Sequence, residues 1–442
     1  MRYHKIDAHL FVENRQRLSE RLPPHSVVIL LSNDRMPTNA DGTLPFKQNS
    51  NLFYLTGIDQ EDSILVLAPD HPNEKLRAQL FLTETNAHIA VWEGHKLSKE
   101  EGTALSGIEE IHWTSNFEAS LKEILTECDQ LYLYQNEHLR AETKVQTANE
   151  RFTKKVKKDY PLHQFNRLAP LLYDLRMIKS DVEIDLIKEA CRITELGFRA
   201  ILPVVKPDVW EFEVEAEYLR HFLRNRATGF AYEPIIAGGA NACILHYTMN
   251  DQKLSTGDLL LMDVGATYGN YNADMTRTIP VDGQFSARQK QIYNAVLRVK
   301  NGATDLLSPG CLISEYHLKV GTMMTEELLT LGLLTSKEVK SQDPKWPAYK
   351  KYFMHGTSHH LGLDVHDVGD YEGILFEPGM VITVEPGIYI SSSNKNVEKK
   401  WRGIGVRIED DVLITSNGCE VITKKLAKKR DEVEAICSRK NE

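Results

Sequence analysis

Several signals that would direct a chain to a particular function are missing, and each absence removes a class. The six cysteines among 442 residues, Cys128, Cys191, Cys243, Cys311, Cys419 and Cys437, are scattered without a C-x-x-C spacing. They read as reduced, mostly buried thiols, not as a disulfide frame or zinc knuckle. No apolar run reaches the roughly 18 residues that a membrane span needs. Met1-Arg2-Tyr3-His4-Lys5 precedes no long apolar stretch, so no secretory signal is expected and the cytoplasm is the expected location. Lys and Arg form no block, and the net charge of −9 gives nucleic acid no footprint. Pro234-Ile235-Ile236-Ala237-Gly238-Gly239 lacks both the G-K-[ST] ending of a phosphate loop and the G-x-G-x-x-G of a dinucleotide fold. H-E-x-x-H and G-x-S-x-G are absent as well, which excludes a zincin and disfavours a serine hydrolase.

What remains is an ordinary globular composition, 42% hydrophobic and 26% charged, in a chain long enough for two domains. Strands at Ser26–Leu31, Ser63–Ala68 and Gln79–Thr83 alternate with helical patterns near 8–21, 97–105, 116–127 and 136–156. That alternation predicts an α/β domain over residues 1–170. Within it, Gln48 to Gly57 reads as a loop entering a half-buried strand. A second domain is expected over 171–442. Ser180 and Glu183 form a capping box at its first helix, and further helices are expected near 211–225, 286–306, 313–331 and 424–436.

The chemistry concentrates between Leu259 and Glu409. Leu259 to Gly265 is apolar enough for a core strand yet carries Asp263, and an ionised carboxylate there costs several kcal/mol unless compensated. Thr267-Tyr268-Gly269-Asn270 reads as a turn, and with Tyr268-Gly269 as its loop Asp263 lies directly opposite Asp274. Like charges so opposed repel, so one is protonated or a cation lies between them, and the cation is the better reading. The pattern repeats: Gly379 to Gly387 carries Glu385, Gly403 to Glu409 ends in an acid, and closure about Val397 sets Glu385 across from Glu409. Asp258, Asp410 and Asp411 fall at strand ends, where solvent is within reach.

His355-Gly356-Thr357-Ser358-His359-His360 lies between the two acid pairs. Of His355 and His359, one ligates while the other lines the pocket; His360 reads as exposed or supporting, and His246 and His366 are isolated by pattern. Four carboxylates and an imidazole suit hard or borderline divalent ions, and four negative charges balance two of them.

Taken together, Asp263-Val264-Gly265, Asn272-Ala273-Asp274-Met275-Thr276-Arg277-Thr278, His355 to His359, Val384-Glu385-Pro386-Gly387 and Arg407-Ile408-Glu409-Asp410 resemble the pita-bread metallopeptidases. The likeness is nearest to the Xaa-Pro aminopeptidase (aminopeptidase P) group, with prolidase next. Pro45 to Ser50 and Tyr54 to Gly57 look like that group's creatinase-type N-domain. The resemblance implies an α/β N-terminal domain followed by an α+β pita-bread catalytic domain. It implies metal ligands at Asp263, Asp274, His359, Glu385 and Glu409, with Asp274 and Glu409 bridging two divalent ions. Manganese is the ion expected, with cobalt, zinc or iron as alternatives. His246, His355, His366, Tyr389 and Arg407 match positions that contact substrate or support the ligands. His360 departs from the tryptophan often found there.

The implied reaction is hydrolysis of the peptide bond before proline at a free N-terminus. Glu385 relays a proton, and His366 and His246 hydrogen-bond the carbonyl oxygen as charge builds on it. Short peptides or flexible N-termini are the expected partners, and a homodimer or homotetramer the expected assembly. Prolidase, restricted to dipeptides, is the alternative; a non-catalytic pita-bread binding module is the remoter one.

Overall fold

The computed structural model describes residues 2–438. They form two compact units, one spanning His4–Arg176 and the other comprising 177–438 together with Arg2 and Tyr3. Among the described residues no helix is long and apolar enough to cross a membrane.

The first unit is built on a six-stranded mixed sheet. Its strands are β1 (Ser26–Leu31), β2 (Ile64–Leu67), β3 (Ala78–Leu82), β4 (Glu110–Trp113), β5 (Gln130–Leu133) and β6 (Gln164–Arg167), in the order β4-β3-β2-β1-β5-β6. Val27, Ile29, Val66 and Phe81 on one face pack with Phe117, Leu121, Ile124, Phe152 and Val156 from two helices. This is the α/β arrangement that the alternation implied. Two expectations fail here. Ser50–Thr56 is a helix, because Asn49 caps it by accepting from the Asn51 and Leu52 N–H groups, and its residues from Asn51 onward are buried. The helix expected over 136–156 is Ala148–Asp159, since Thr147 and Glu150 form the capping box that starts it.

In the second unit the helices Asp181–Ile201, Glu211–Arg224, Ala287–Asp305 and Ile313–Thr330 match expectation, the first with the Ser180–Glu183 capping box in place. At the C-terminal end, however, the described helix is Arg430–Ser438, later than expected. These helices accompany strands β7 (Gly229–Phe230), β8 (Ile235–Gly238), β9 (Leu259–Val264), β10 (Ala266–Tyr268), β11 (Tyr271–Asn272), β12 (Met275–Pro280), β13 (Val381–Val384), β14 (Gly387–Ile390), β15 (Ile404–Arg407), β16 (Asp410–Thr415) and β17 (Gly418–Val421). They pair as β11-β10-β7, β12-β9-β8, β13-β16-β17 and β14-β15. Two long antiparallel hairpins thus frame the site, one running β9-β10-β11-β12 and the other β13-β14-β15-β16.

In the first hairpin the turn falls one residue later than expected. Tyr268 pairs with Tyr271 across Gly269-Asn270, whose φ angles of 57° and 65° are the left-handed pair that a type I′ turn requires. Asp263 therefore faces Thr276, not Asp274. A shift of two residues leaves both acids on the face they were assigned, because side chains alternate with period two. The second hairpin closes as expected: Val384 pairs with Asp410 and Gly387 with Arg407, so Glu385 and Glu409 are opposed in the gap between the two ladders. There the Glu385 N–H donates to the Thr357 carbonyl at 2.8 Å and the Glu409 N–H to the Thr276 carbonyl at 3.1 Å. The second of these bonds joins the two hairpins.

Asp410 and Asp411 are fully buried, contrary to the expectation of nearby solvent, because β16 is the middle strand of its sheet. Asp410 accepts from Arg277, Lys300 and Lys428, and Arg277 also donates to the Glu409 carbonyl. Burial alone would raise the Asp410 carboxyl, but the three cations hold it far below the usual carboxylate range. Asp410→Asn leaves buried cations without their partner, so a loss of about 3–5 kcal/mol is expected in urea unfolding. Because the folded-state pKa is depressed, the stabilisation is complete above the unfolded value of about 4 and is lost as pH falls below it. The gap between wild type and Asp410→Asn should accordingly narrow in acid.

Candidate metal centre

Asp263 projects from β9, and Asp274 lies in the short break between β11 and β12. The Tyr232 hydroxyl sits 2.5 Å from Asp263 Oδ1 and 2.6 Å from Asp274 Oδ1. A phenol carries one proton, so these two short contacts need a second proton or a cation in the neighbourhood. The Asp274 N–H is held by Asp411 Oδ2 at 3.0 Å. Glu409 accepts from Thr276 Oγ1 at 2.6 Å, which fixes the second hairpin's acid to the first hairpin.

His359 is anchored beside β13, its N–H donating to Thr383 Oγ1 at 3.2 Å and the Thr383 N–H to its carbonyl at 3.0 Å. Its Nδ1 lies 2.9 Å from the His360 carbonyl, which selects the Nδ1–H tautomer and leaves the Nε2 lone pair facing the acids. Nε2 is 3.4 Å from Asp274 Oδ2 and 3.5 Å from Glu385 Oε1. Ligand atoms of Asp274, His359 and Glu409 all lie within 4.8 Å of one another.

The electrostatics of this donor set fit a divalent cation. Burial, then the neighbouring Asp263, pushes the Asp274 carboxyl well up, and burial with Asp274 and Glu385 does the same to Glu409. Burial raises Glu385 to about 8, His359 opposing the rise and Asp274 adding to it. Acids this crowded and this dry hold protons at neutral pH unless positive charge is supplied among them. The nearest guanidinium, Arg407, donates to Asp263 but is spread over three partners, the others being Thr276 Oγ1 at 3.1 Å and the Tyr389 hydroxyl at 2.9 Å.

The expected site residues fall as follows. Asp263, Asp274, His359, Glu385 and Glu409 come together. His355 joins them through Glu385 Oε2 at 3.5 Å and through its Nε2, 2.8 Å from the Tyr389 hydroxyl. Burial, then Arg407, lowers His355 to about 3, so it is neutral. The ring of His366 meets that of His359 edge-on at 4.5 Å. His246 is exposed on the loop after β8. His360, expected to be exposed or supporting, is fully buried against Tyr371 at 5.1 Å. Thr276 and Asp411 were given no part in the site by the sequence reading, and Tyr232 escaped it altogether; Phe230-Ala231-Tyr232-Glu233-Pro234 carries no periodicity or motif that singles out the tyrosine.

A model of metallopeptidase family M24 matches residues 185–416, and one of the aminopeptidase P N-terminal domain matches residues 11–134. The chain is 37% identical to the Xaa-Pro aminopeptidase of Haemophilus influenzae and 34% identical to that of Escherichia coli, in each case over 98% of both chains. Among solved structures it is similar to Pseudomonas aeruginosa aminopeptidase PepP, with a TM-score of 0.91, 33% identity and 99% of each chain covered. It is also similar to zinc-substituted E. coli aminopeptidase P in complex with product, with a TM-score of 0.89, 32% identity and 99% and 100% of the two chains covered.

Tyr232→Phe removes the hydroxyl that joins the two aspartates. A fall in divalent-metal affinity of about 10–100-fold is expected, read by chelator competition, the size typical when a group that orients a ligand is lost.

Proposed function

The chain belongs to metallopeptidase family M24, and from that premise we propose how its site cleaves the bond between an N-terminal residue and a following proline. It is a metal-dependent Xaa-Pro aminopeptidase. The observation that carries the reading is the convergence of four carboxylates and His359 Nε2 where two hairpins meet. Asp263, Asp274, His359, Glu385 and Glu409 would hold two divalent ions, manganese being the metal proposed. When bound, the metal supplies Lewis acidity and brings the pKa of water toward neutrality.

Glu385 takes the proton from the attacking water and delivers it to the leaving proline nitrogen. His366 and His246 donate hydrogen bonds to the scissile carbonyl oxygen as charge develops there. The amide nitrogen of proline has no hydrogen, so shape selects the substrate. His355, Tyr389 and Arg407 form the wall that does so, linked by the hydrogen bonds at the Tyr389 hydroxyl. The substrate's α-amine lies against the carboxylates.

A dipeptidase needs a group committed to the substrate's C-terminal carboxylate. Arg407, the guanidinium nearest the acids, has its Nε, Nη1 and Nη2 engaged by Thr276, Tyr389 and Asp263. The similarity to Xaa-Pro aminopeptidases over nearly the whole chain favours the aminopeptidase reading over the dipeptidase one. The same reading places the chain in the cytoplasm as a homodimer or homotetramer, acting on short peptides and flexible N-termini.

Turnover of a series such as Gly-Pro, Arg-Pro-Pro and longer Xaa-Pro peptides tests the function. Cleavage of the tripeptide is expected with manganese present, loss of it on chelation and recovery on adding manganese back. Activity confined to dipeptides, or undiminished by chelation, contradicts the reading. Glu385→Gln should lower kcat by at least about a hundredfold.

A further inference from the structure

Glu211 opens the helix Glu211–Arg224 and is fully buried. Its Oε1 accepts from the Gly238 N–H at 2.7 Å and from Asn241 Nδ2 at 3.3 Å. Its Oε2 accepts from the Tyr247 hydroxyl at 2.7 Å and from the Gln252 N–H at 3.0 Å. Its own N–H donates to the Gln252 carbonyl at 3.0 Å. One carboxylate therefore ties together both ends of the 238–252 loop and two points within it. His246 lies between those two interior points.

Near its far end the loop is also anchored by Asn250, which accepts from the Ile236 N–H at 3.0 Å and donates to the Pro234 carbonyl at 2.9 Å and to Glu215 Oε2 at 2.8 Å. Ile244 and Met249, on either side of His246, are 54% and 71% exposed, so burial of these neighbours does not locate the histidine. Its inner edge rests on the second hairpin: a Cβ on Gly405 would come within 2.3 Å of the Ala242 carbonyl, and Gly405 is the β-partner of Tyr389. Tyr247, Ala242 and Tyr389 also share one small apolar cluster with Ile235, Ala237 and Leu261. The tether at Glu211 thus reaches both His246 and the backing of Tyr389.

We propose that Glu211 is a positioning residue for peptide hydrolysis, holding the 238–252 loop so that His246 and the wall behind Tyr389 meet the substrate in register. The proposal rests on the reading that His246 bonds the scissile carbonyl. The plainer alternative is a structural cap: an acid in the first turn of a helix is favourable there, and its loss would lower stability without changing the chemistry of the folded enzyme. Glu211→Gln separates the two. The carboxamide keeps the shape but turns one acceptor oxygen into a donor, which must face a backbone N–H, of Gly238 or of Gln252. At least one tie to a loop end is lost.

The test is steady-state kinetics of the metal-loaded full chain on Arg-Pro-Pro, corrected for folded fraction. Wild type, Glu211→Gln, His246→Ala, the double variant and Tyr247→Phe alone and with His246→Ala are compared. Glu211→Gln is expected to lower kcat/KM about ten- to a hundredfold, the scale of an ångström-sized misplacement, with metal content unchanged. In the His246→Ala background the same change should cost less than about threefold, since neighbours acting as one unit are not additive. Tyr247→Phe, which removes a single donor, should show a smaller loss with the same dependence on His246. An unaltered kcat/KM in Glu211→Gln, or losses that multiply in the double variant, overturn the proposal. If Glu211→Gln does not fold, Tyr247→Phe decides, and a loss undiminished by His246→Ala overturns it. An indifferent His246→Ala removes the premise and the proposal together, whereas a wild type inactive on Xaa-Pro peptides refutes the peptidase reading itself.

Discussion

Like charges brought out of water into one small space set the terms for the catalytic unit. Asp274 and Glu409 are nearly or fully buried and lie, with His359, within a few ångströms of each other, while Asp263 and Glu385 complete the ring. Left to themselves such acids take up protons, as the raised Asp274, Glu385 and Glu409 indicate. A family that binds divalent metal turns this cost to use, because cations among the carboxylates remove the repulsion and the protons at once.

Holding the acids together against that repulsion requires bonds between the two hairpins, and they are present in layers. Thr276 supports Glu409 with its hydroxyl and accepts the Glu409 N–H at its carbonyl. One residue on, Arg277 donates to the Glu409 carbonyl and pairs with the buried Asp410. Thr278 Oγ1 donates to the Arg407 carbonyl at 2.9 Å, while the Arg407 side chain reaches back to Asp263. Three consecutive residues of β12 thereby fasten three of the residues at the far end of the second hairpin. Every other residue of that run faces the site, and the one between them faces the cationic knot around Asp410.

Much of this was legible in the sequence, for identifiable reasons. Acids inside apolar strands are costly, so Asp263 and Glu385 stood out, and the closure about Val397 placed Glu385 opposite Glu409 correctly. The first hairpin was displaced because Gly269 fits either of two adjacent turns; Asn270 tolerating a left-handed φ decided between them. Asp410 and Asp411 were misjudged because position at a strand end says nothing of what lies beyond it, and here Arg277, Lys300 and Lys428 arrive from far along the chain. Tyr232 and Glu211 share that difficulty. Each acts through partners about 30 or more residues away, and neither carries a local pattern. The helix at Ser50–Thr56 was missed because its run of polar and aromatic residues lacks a one-sided apolar face, every side of it being buried.

The site therefore stands or falls on whether cations occupy the ring of acids. A crystal of the chain equilibrated with manganese, with anomalous scattering recorded at the metal's edge and the bound metal counted by elemental analysis, addresses this directly. About two ions per chain are expected, with Asp274 and Glu409 between them and Asp263, His359 and Glu385 completing their ligands. No bound metal after saturation, or ions bound only elsewhere while the acids remain protonated around Arg407, would contradict it.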